Sequence, residues 1–207
     1  MPAYSWAISP IILPLVIAWT AVAAAGPDPL SGIPIQPEHV GTPYHRVNWM
    51  PGGSWADTDG DCQDGRQEVL IAQSKTNPVL TADTCSVVSG RWVDPYSGET
   101  TTNPASVEID HMVALKEVHD SGGASWPPAK KQAFAQGVTS ENLFVVMTST
   151  NRSKSDRDPG EWLPANKVHA CWYVGKWTEV KRRWSLSMDR TEADAIRLLL
   201  KSCPAPN

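Results

Sequence analysis

An α+β domain stapled by two disulfides is the architecture that this chain of 207 residues predicts. Three observations carry it. Short strand-like runs at 86–93, 107–110 and 143–147 are interleaved with helical patterns. Two long helical patterns, at about 165–184 and 191–201, close the sequence. Four cysteines, Cys62, Cys85, Cys171 and Cys203, all lie downstream of an apolar N-terminal run.

That run comes first. Residues 11–25 are apolar and end in Ala23-Ala24-Ala25, an A-x-A-like cleavage site, so residues 1–25 read as a secretory signal peptide. An uncleaved membrane anchor is the alternative, and Pro10, Pro14 and the marginal length count against it. Export suits the cysteines, which allow three pairings. The two local ones, Cys62 with Cys85 and Cys171 with Cys203, each close a loop of a few tens of residues. Chain entropy makes each worth about 3 to 4 kcal/mol. Zinc is the rival use of four thiols, but the chain contains no C-x-x-C.

Residues 26–42, with Pro27, Pro29, Pro34 and Pro37, read as an extended linker, leaving 43–207 as the domain. Trp49 and Trp55 would dock its start. A helix follows over 64–74, with Asp61 or Asp64 as N-cap. A strand at 86–93 turns at Asp94-Pro95-Tyr96-Ser97-Gly98 and returns over 99–102. A strand at 107–110 leads to a helix at 115–119, broken by Gly122 and Gly123, and a Pro-initiated helix spans 127–135. The strand at 143–147 precedes a short helix carrying Asn151 and Lys154, with Ser149 as its cap. Thr191-Glu192-Ala193-Asp194 has the form of a capping box for the last helix. Trp177 and Trp184, seven residues apart, make an apolar helix face that reads as core rather than as a platform for nucleobases.

The net charge of −4 hides an asymmetry. Residues 27–128 carry 5 Lys/Arg against 14 Asp/Glu, whereas 129–207 carry 13 against 8. A polyanionic partner is therefore compatible with the basic half, at modest non-specific affinity.

The chemistry concentrates in Glu108-Ile109-Asp110-His111, Glu141-Asn142-Leu143 and Asn151-Arg152-Ser153-Lys154-Ser155-Asp156. Phosphodiester hydrolysis needs an activated water, relief of charge on the phosphoryl oxygens and help for the leaving alkoxide. Asp110 offers a carboxylate and Asn151 an amide oxygen to a hard divalent cation. His111 has an imidazole whose ordinary pKa suits a general base. Because adjacent strand residues face opposite ways, the chain is expected to bend at Asp110-His111 to aim both at one phosphate. Asn142 would fix the loop that holds His111. Lys154 shares a helix face with Asn151 and would touch phosphate or pair with Asp156 or Asp158. His119 reads as a solvated helix-end residue, with metal ligation as its alternative.

These residues, in this order, resemble the HNH endonucleases of the ββα-metal type. The likeness is specifically to small secreted bacterial HNH proteins related to the C-terminal domain of GmrSD-type restriction enzymes. The block Trp55-Ala56-Asp57-x-Asp59-Gly60-Asp61-Cys62-x-Asp64-x-Arg66-x-Glu68 is similar to that family as well, and the likeness spans about residues 43–203. It implies a ββα-metal finger embedded in a helical domain and cleavage of DNA, with RNA as a further substrate class. It also implies His111 as general base, Asp110 and Asn151 as metal ligands, Asn142 as loop support and a monomeric secreted enzyme. Asn151 stands where the family name expects His, and its amide oxygen favours Mg²⁺ or Mn²⁺ over Zn²⁺. Glu108 replaces an Asp frequent in relatives, which leaves its role open.

Asp57, Asp59 and Asp61, with Glu68 in the twelfth place, mimic the spacing of a Ca²⁺-binding EF-hand loop. The sixth place, where that loop demands glycine, is Cys62, so the alternative is a polar disulfide-tied loop. Arg66, Arg91 and Arg152 are candidate phosphate contacts, and the acidic surroundings of Arg66 and Arg91 make structural ion pairs the favoured alternative for those two. A secreted, calcium-stabilised binding module with an incidental Asp-His pair is the rival function.

Overall fold

The computed structural model describes residues 1–2, 28–138 and 141–204, so the expected signal peptide falls outside it but for two residues. Helix α1 (Gly65–Gln73) starts where Asp64 accepts the Gln67 N–H, and it buries Val69 and Leu70. Strand β1 (Val79–Leu80) pairs antiparallel with β2 (Val87–Ser89). The single strand expected over 86–93 is divided, since β3 (Trp92–Val93) leaves β2 to pair with β4 (Thr100–Thr101). Gly90 sits at the break. A Cβ there would meet the Trp92 ring at 2.6 Å and Ser74 Oγ at 2.9 Å, so a side chain would block the crossing.

The turn at 94–98 forms as expected and is braced from inside. Asp94 Oδ1 accepts the Tyr96 N–H at 2.7 Å, while its Oδ2 accepts the Met147 N–H at 3.1 Å. This ties the turn to the end of β6 (Leu143–Met147). Strand β5 (Val107–His111) pairs with β6 antiparallel over five residues, from Val107↔Met147 to His111↔Leu143. Gln73 of α1 donates to the Leu143 carbonyl and accepts from the Val145 N–H, closing one edge of β6 with a side-chain amide.

Helices α2 (Leu115–Asp120) and α3 (Pro128–Gln136) occupy the stretch between β5 and β6. Helix α4 (Thr148–Lys154) leaves β6 without a loop. Its N-cap is Met147, so Ser149 lies inside the helix instead of capping it. The strand runs straight into the helix, and no residue is left free to cap. Helix α5 (Lys167–Trp184) is capped by Asn166, and α6 (Arg190–Leu200) by Asp189, which accepts the Glu192 N–H. The start signal expected at Thr191 therefore lies two residues too late. Glu192 is unavailable for a reciprocal cap because its carboxylate is turned inward to Trp177 and Lys181.

Two apolar clusters flank the β5–β6 pair. The larger gathers Trp49, Met112, Phe134, Tyr173 and Trp177; the smaller gathers Val69, Leu70, Trp92, Ile109 and Val145. Trp177 is fully buried, as the core reading of its stripe expects. Truncating such a ring to alanine costs about 3 to 5 kcal/mol. The described part of the 26–42 segment is irregular, as its prolines demand, yet it is no free tether. Leu30 and Ile33 enter the larger cluster. The Met188 N–H donates to the Pro34 carbonyl, and the Gln36 N–H donates back to Met188. Disulfides join Cys62 to Cys85 and Cys171 to Cys203.

Candidate active site

Alternation along β5 divides its polar side chains. Glu108 and Asp110 face α4, where the Asn151 Nδ2 donates to Glu108 Oε2 at 2.7 Å and Lys154 Nζ donates to Asp110 Oδ1 at 2.9 Å. His111 points the other way, its ring stacked on Trp55 and near Phe134. The bend expected at this pair is absent: both residues belong to a regular strand. Because the strand stops at His111, a cavity of about 520 Å³ off its end is lined by Asp110, His111 and Asn151 together.

The imidazole is oriented by one bond. His111 Nε2 lies 2.8 Å from the Ala135 carbonyl, which can only accept, so the proton of a neutral ring resides on Nε2. Nδ1 is then a lone pair. It has no protein partner among the described residues and is not a sealed atom, so it opens toward the cavity. Burial first, with smaller contributions from the Arg46 and Lys154 charges, pulls the His111 pKa down to about 3, against a weaker upward pull from Ala135. The ring is neutral throughout the physiological range.

Asp110 is buried between two donors. Lys154 Nζ holds Oδ1, and the Tyr96 hydroxyl donates to Oδ2 at 2.7 Å. Burial pushes this carboxyl up, while Lys154 and Tyr96 pull it back. Lys154 also donates to the His111 carbonyl at 2.9 Å and is fully buried, so it reaches neither Asp156, Asp158 nor a phosphate. Its length lets it cross from α4 beneath β5, an outcome its sequence spacing did not favour. Asn142, fully buried, accepts the Val113 N–H through Oδ1 and the Met112 N–H through its carbonyl. Both bonds fix the chain immediately after His111.

Other candidates lie elsewhere or act differently. Arg66 donates to the Pro104 and Val107 carbonyls, a brace for the entry to β5 and no phosphate contact. Arg152 lines the cavity, its side chain 77% exposed, with Glu108 Oε1 at 3.5 Å. His119 is buried against Tyr44 and Trp49 and bonded to the Thr42 carbonyl, so it is not solvated, and it lies behind Tyr44 instead of lining Asp110's cavity. Packing of the 42–49 strap over α2 encloses it. Asp57, Asp59 and Asp61 form an exposed cluster with carboxylate oxygens within 4.8 Å of one another. Cys62 adopts φ +76°, the conformation that the sixth place of such a loop requires of glycine, and the Asp57 carboxylate accepts the Gly60 and Cys62 N–H groups. Burial, then the crowding of Asp59, Asp61, Asp57 and Asp64, pushes Glu68 up.

Four contributors had no readable signal. Tyr96 sits in an ordinary turn, Ala135 acts through its backbone, and Tyr44 and Arg46 belong to a stretch dominated by prolines. Trp55 had one, its place beside the acidic loop.

Fold and disulfides together define a disulfide-stapled α+β protein, and among the described residues no helix is long and apolar enough to cross a membrane. The chain is 32% identical over 174 residues, 84% of its length, to a protein of Arthroderma benhamiae described as an uncharacterized secreted protein, of which it covers 82%. It belongs to the family of that secreted protein. No family model and no solved structure matches it.

Proposed function

We propose that this secreted protein is a metal-dependent endonuclease that hydrolyses DNA, with β5, β6 and α4 serving as a ββα-metal finger. The observation that carries the reading is the fixed tautomer of His111. Its Nε2 is committed to Ala135, and its basic Nδ1 opens on a cavity shared with a carboxylate and an amide oxygen.

The donor set fits a hard divalent cation. Each Asp110 oxygen accepts one hydrogen bond and keeps a second lone pair, and the bond from Asn151 Nδ2 to Glu108 leaves Asn151 Oδ1 uncommitted. Asp110 and Asn151 would hold Mg²⁺ or Mn²⁺, since all-oxygen donors suit these ions. When bound, such an ion offsets charge on the phosphoryl oxygens and the departing alkoxide.

The chain's own residues do the rest. His111 Nδ1 takes a proton from the attacking water, and the Ala135 carbonyl keeps the ring from rotating as charge develops on it. Trp55 and Phe134 keep bulk water from the ring faces. Lys154 and Tyr96 hold the Asp110 carboxylate in one orientation. Asn142 holds the loop after His111, so the imidazole cannot swing from the cavity.

Plasmid nicking in Mg²⁺ or Mn²⁺, with and without chelator, tests this. We expect chelator-sensitive nicking and a loss of about 10²- to 10⁴-fold in His111→Ala with the fold intact. Wild-type rates in His111→Ala would remove the base, and no nicking under any divalent ion would favour a binding module.

A further inference from the structure

Three cations border the candidate cavity, and they differ in what neutralises them. Lys116 is bonded to Asp120, and Arg152 faces Glu108. Arg46 makes no ion pair among the described residues; its guanidinium contacts Met50 Sδ at 3.1 Å and lies beside the Tyr44 hydroxyl, and the Asp156 carboxylate shares the cavity without pairing to it. Lys154, behind the cavity, is already spent on Asp110. A guanidinium without an ion pair beside an open cavity can take an anion.

Its mounting suits that task. Arg46 opens a short 3₁₀ turn (Arg46–Asn48), and its carbonyl accepts the N–H groups of Trp49 and Met50, both buried in the larger core cluster. The side chain is exposed while its backbone is pinned. Tyr44, two residues earlier, lines the same cavity with its ring edge-on to the buried His119. A flat ring and a planar fork thus border the cavity that Asp110, His111 and Asn151 also line.

We propose that Arg46 is the phosphate anchor of the substrate strand, gripping a phosphodiester oxygen at the cavity, with Tyr44 offering its ring to the adjoining sugar or base. This rests on the phosphodiester reading above and adds what that reading lacks, a contact that holds the polyanion. A guanidinium fork matches two phosphate oxygens at once, which an ammonium cannot do.

The test is binding of a fluorescein-labelled single-stranded DNA 20-mer in Mg²⁺ buffer to His111→Ala, used as a parent that does not cut. Onto it are added Arg46→Ala, Arg46→Lys or Arg91→Ala, with circular dichroism as the check on folding. Arg91 is exposed just ahead of β3 and does not line the cavity, and its loss removes the same unit of charge. Arg46→Ala is expected to weaken binding about tenfold or more, as for a charged hydrogen bond, and to lower the salt-dependence slope by about 1. Arg46→Lys should keep the slope yet recover only part of the affinity, and Arg91→Ala should match the parent. Parental affinity in Arg46→Ala, or an equal loss in Arg91→Ala, would overturn the anchor while leaving the phosphodiester reading intact. A parent that binds no DNA would overturn both.

Discussion

Two fully buried lysines, Lys154 and Lys181, meet acidic partners in different surroundings, and the contrast separates a site from a scaffold. Lys181 on α5 faces two carboxylates, Glu117 from α2 and Glu192 from α6, and donates to the Ser187 carbonyl with the Trp177 ring alongside. Lys181 and Glu192 are sealed there, while Glu117 also reaches the wall of a separate acidic cavity of about 480 Å³ that Glu38 and Asp158 line. The cluster holds one carboxylate too many, and burial leads in pushing Glu192 up to about 8. Lys154 meets one carboxylate, Asp110, beside an open cavity. Charge is matched there, and the carboxylate retains free lone pairs. The Lys181 ammonium gives all three of its protons to acceptors, whereas the Asp110 carboxylate beside its cavity keeps lone pairs free.

The sharpest way to break this comparison is to remove each ammonium. Lys181→Met should cost about 3 to 5 kcal/mol, because it strands the enclosed Glu192 carboxylate beside Glu117 with no cation left between them. Lys154→Met should cost about 1 to 3 kcal/mol, since Asp110 keeps Tyr96 and can be reached by water from the cavity. Urea unfolding of both variants measures this, and equal losses would erase the distinction.

Next in size are the pH responses, which have opposite signs. Glu192 has a raised folded pKa, so the stability it contributes is complete below the unfolded carboxyl value and is lost as pH rises toward about 8. Glu38, pushed to about 7 by burial and then by Glu117, and Asp158, pushed to about 6 chiefly by burial, act in the same direction. His111 is depressed, so its contribution is complete above the unfolded value near 6.5 and is lost as pH falls toward about 3. Stability against pH should therefore fall at both ends. Glu192→Gln should make only the alkaline limb shallower, with Glu38 and Asp158 keeping the remainder, and His111→Ala should make only the acid limb shallower. Thermal melts from pH 4 to 9 check this, and a variant that moved the opposite limb would contradict it.

The smallest expected effect is a flat line. On the proposed nuclease reading, kcat/KM for plasmid cleavage should show no fall near pH 6.5, because burial keeps the His111 imidazole neutral down to about 3. A halving near 6.5 would mean an imidazole in ordinary solvent, contrary to its burial.

Much of this contrast was legible in the chain, and the reasons are specific. The strands around Asp110 and after Asn142 follow from short runs rich in β-branched apolar residues, and the helix bearing Asn151 follows directly, though without the Ser149 cap expected of it. The disulfides pair locally, as short loops favour. The roles of single polar side chains were harder. Lys154 and Asp158 sit four apart on sequence, yet Lys154 turns inward because Asp110 lies beneath it across 44 residues of chain. The cap of α6 shifted to Asp189 because Glu192 was wanted inside. The proline-rich start read as a tether because its partners, Met188 and Asp120, are strangers in sequence. Local pattern reports period and turn, whereas long side chains choose partners that only tertiary contact supplies.

The residue-for-residue alignment of β5 with β6 also works as an error check. A slip by one position would swap the faces of the adjacent acid and imidazole, setting a carboxylate against the carbonyl of Ala135 and an uncharged ring against an enclosed ammonium. Both mismatches penalise the same mistake, so a misthreaded hairpin is unstable in itself. The pair that gives the cavity its chemistry thereby proofreads the pairing that positions it.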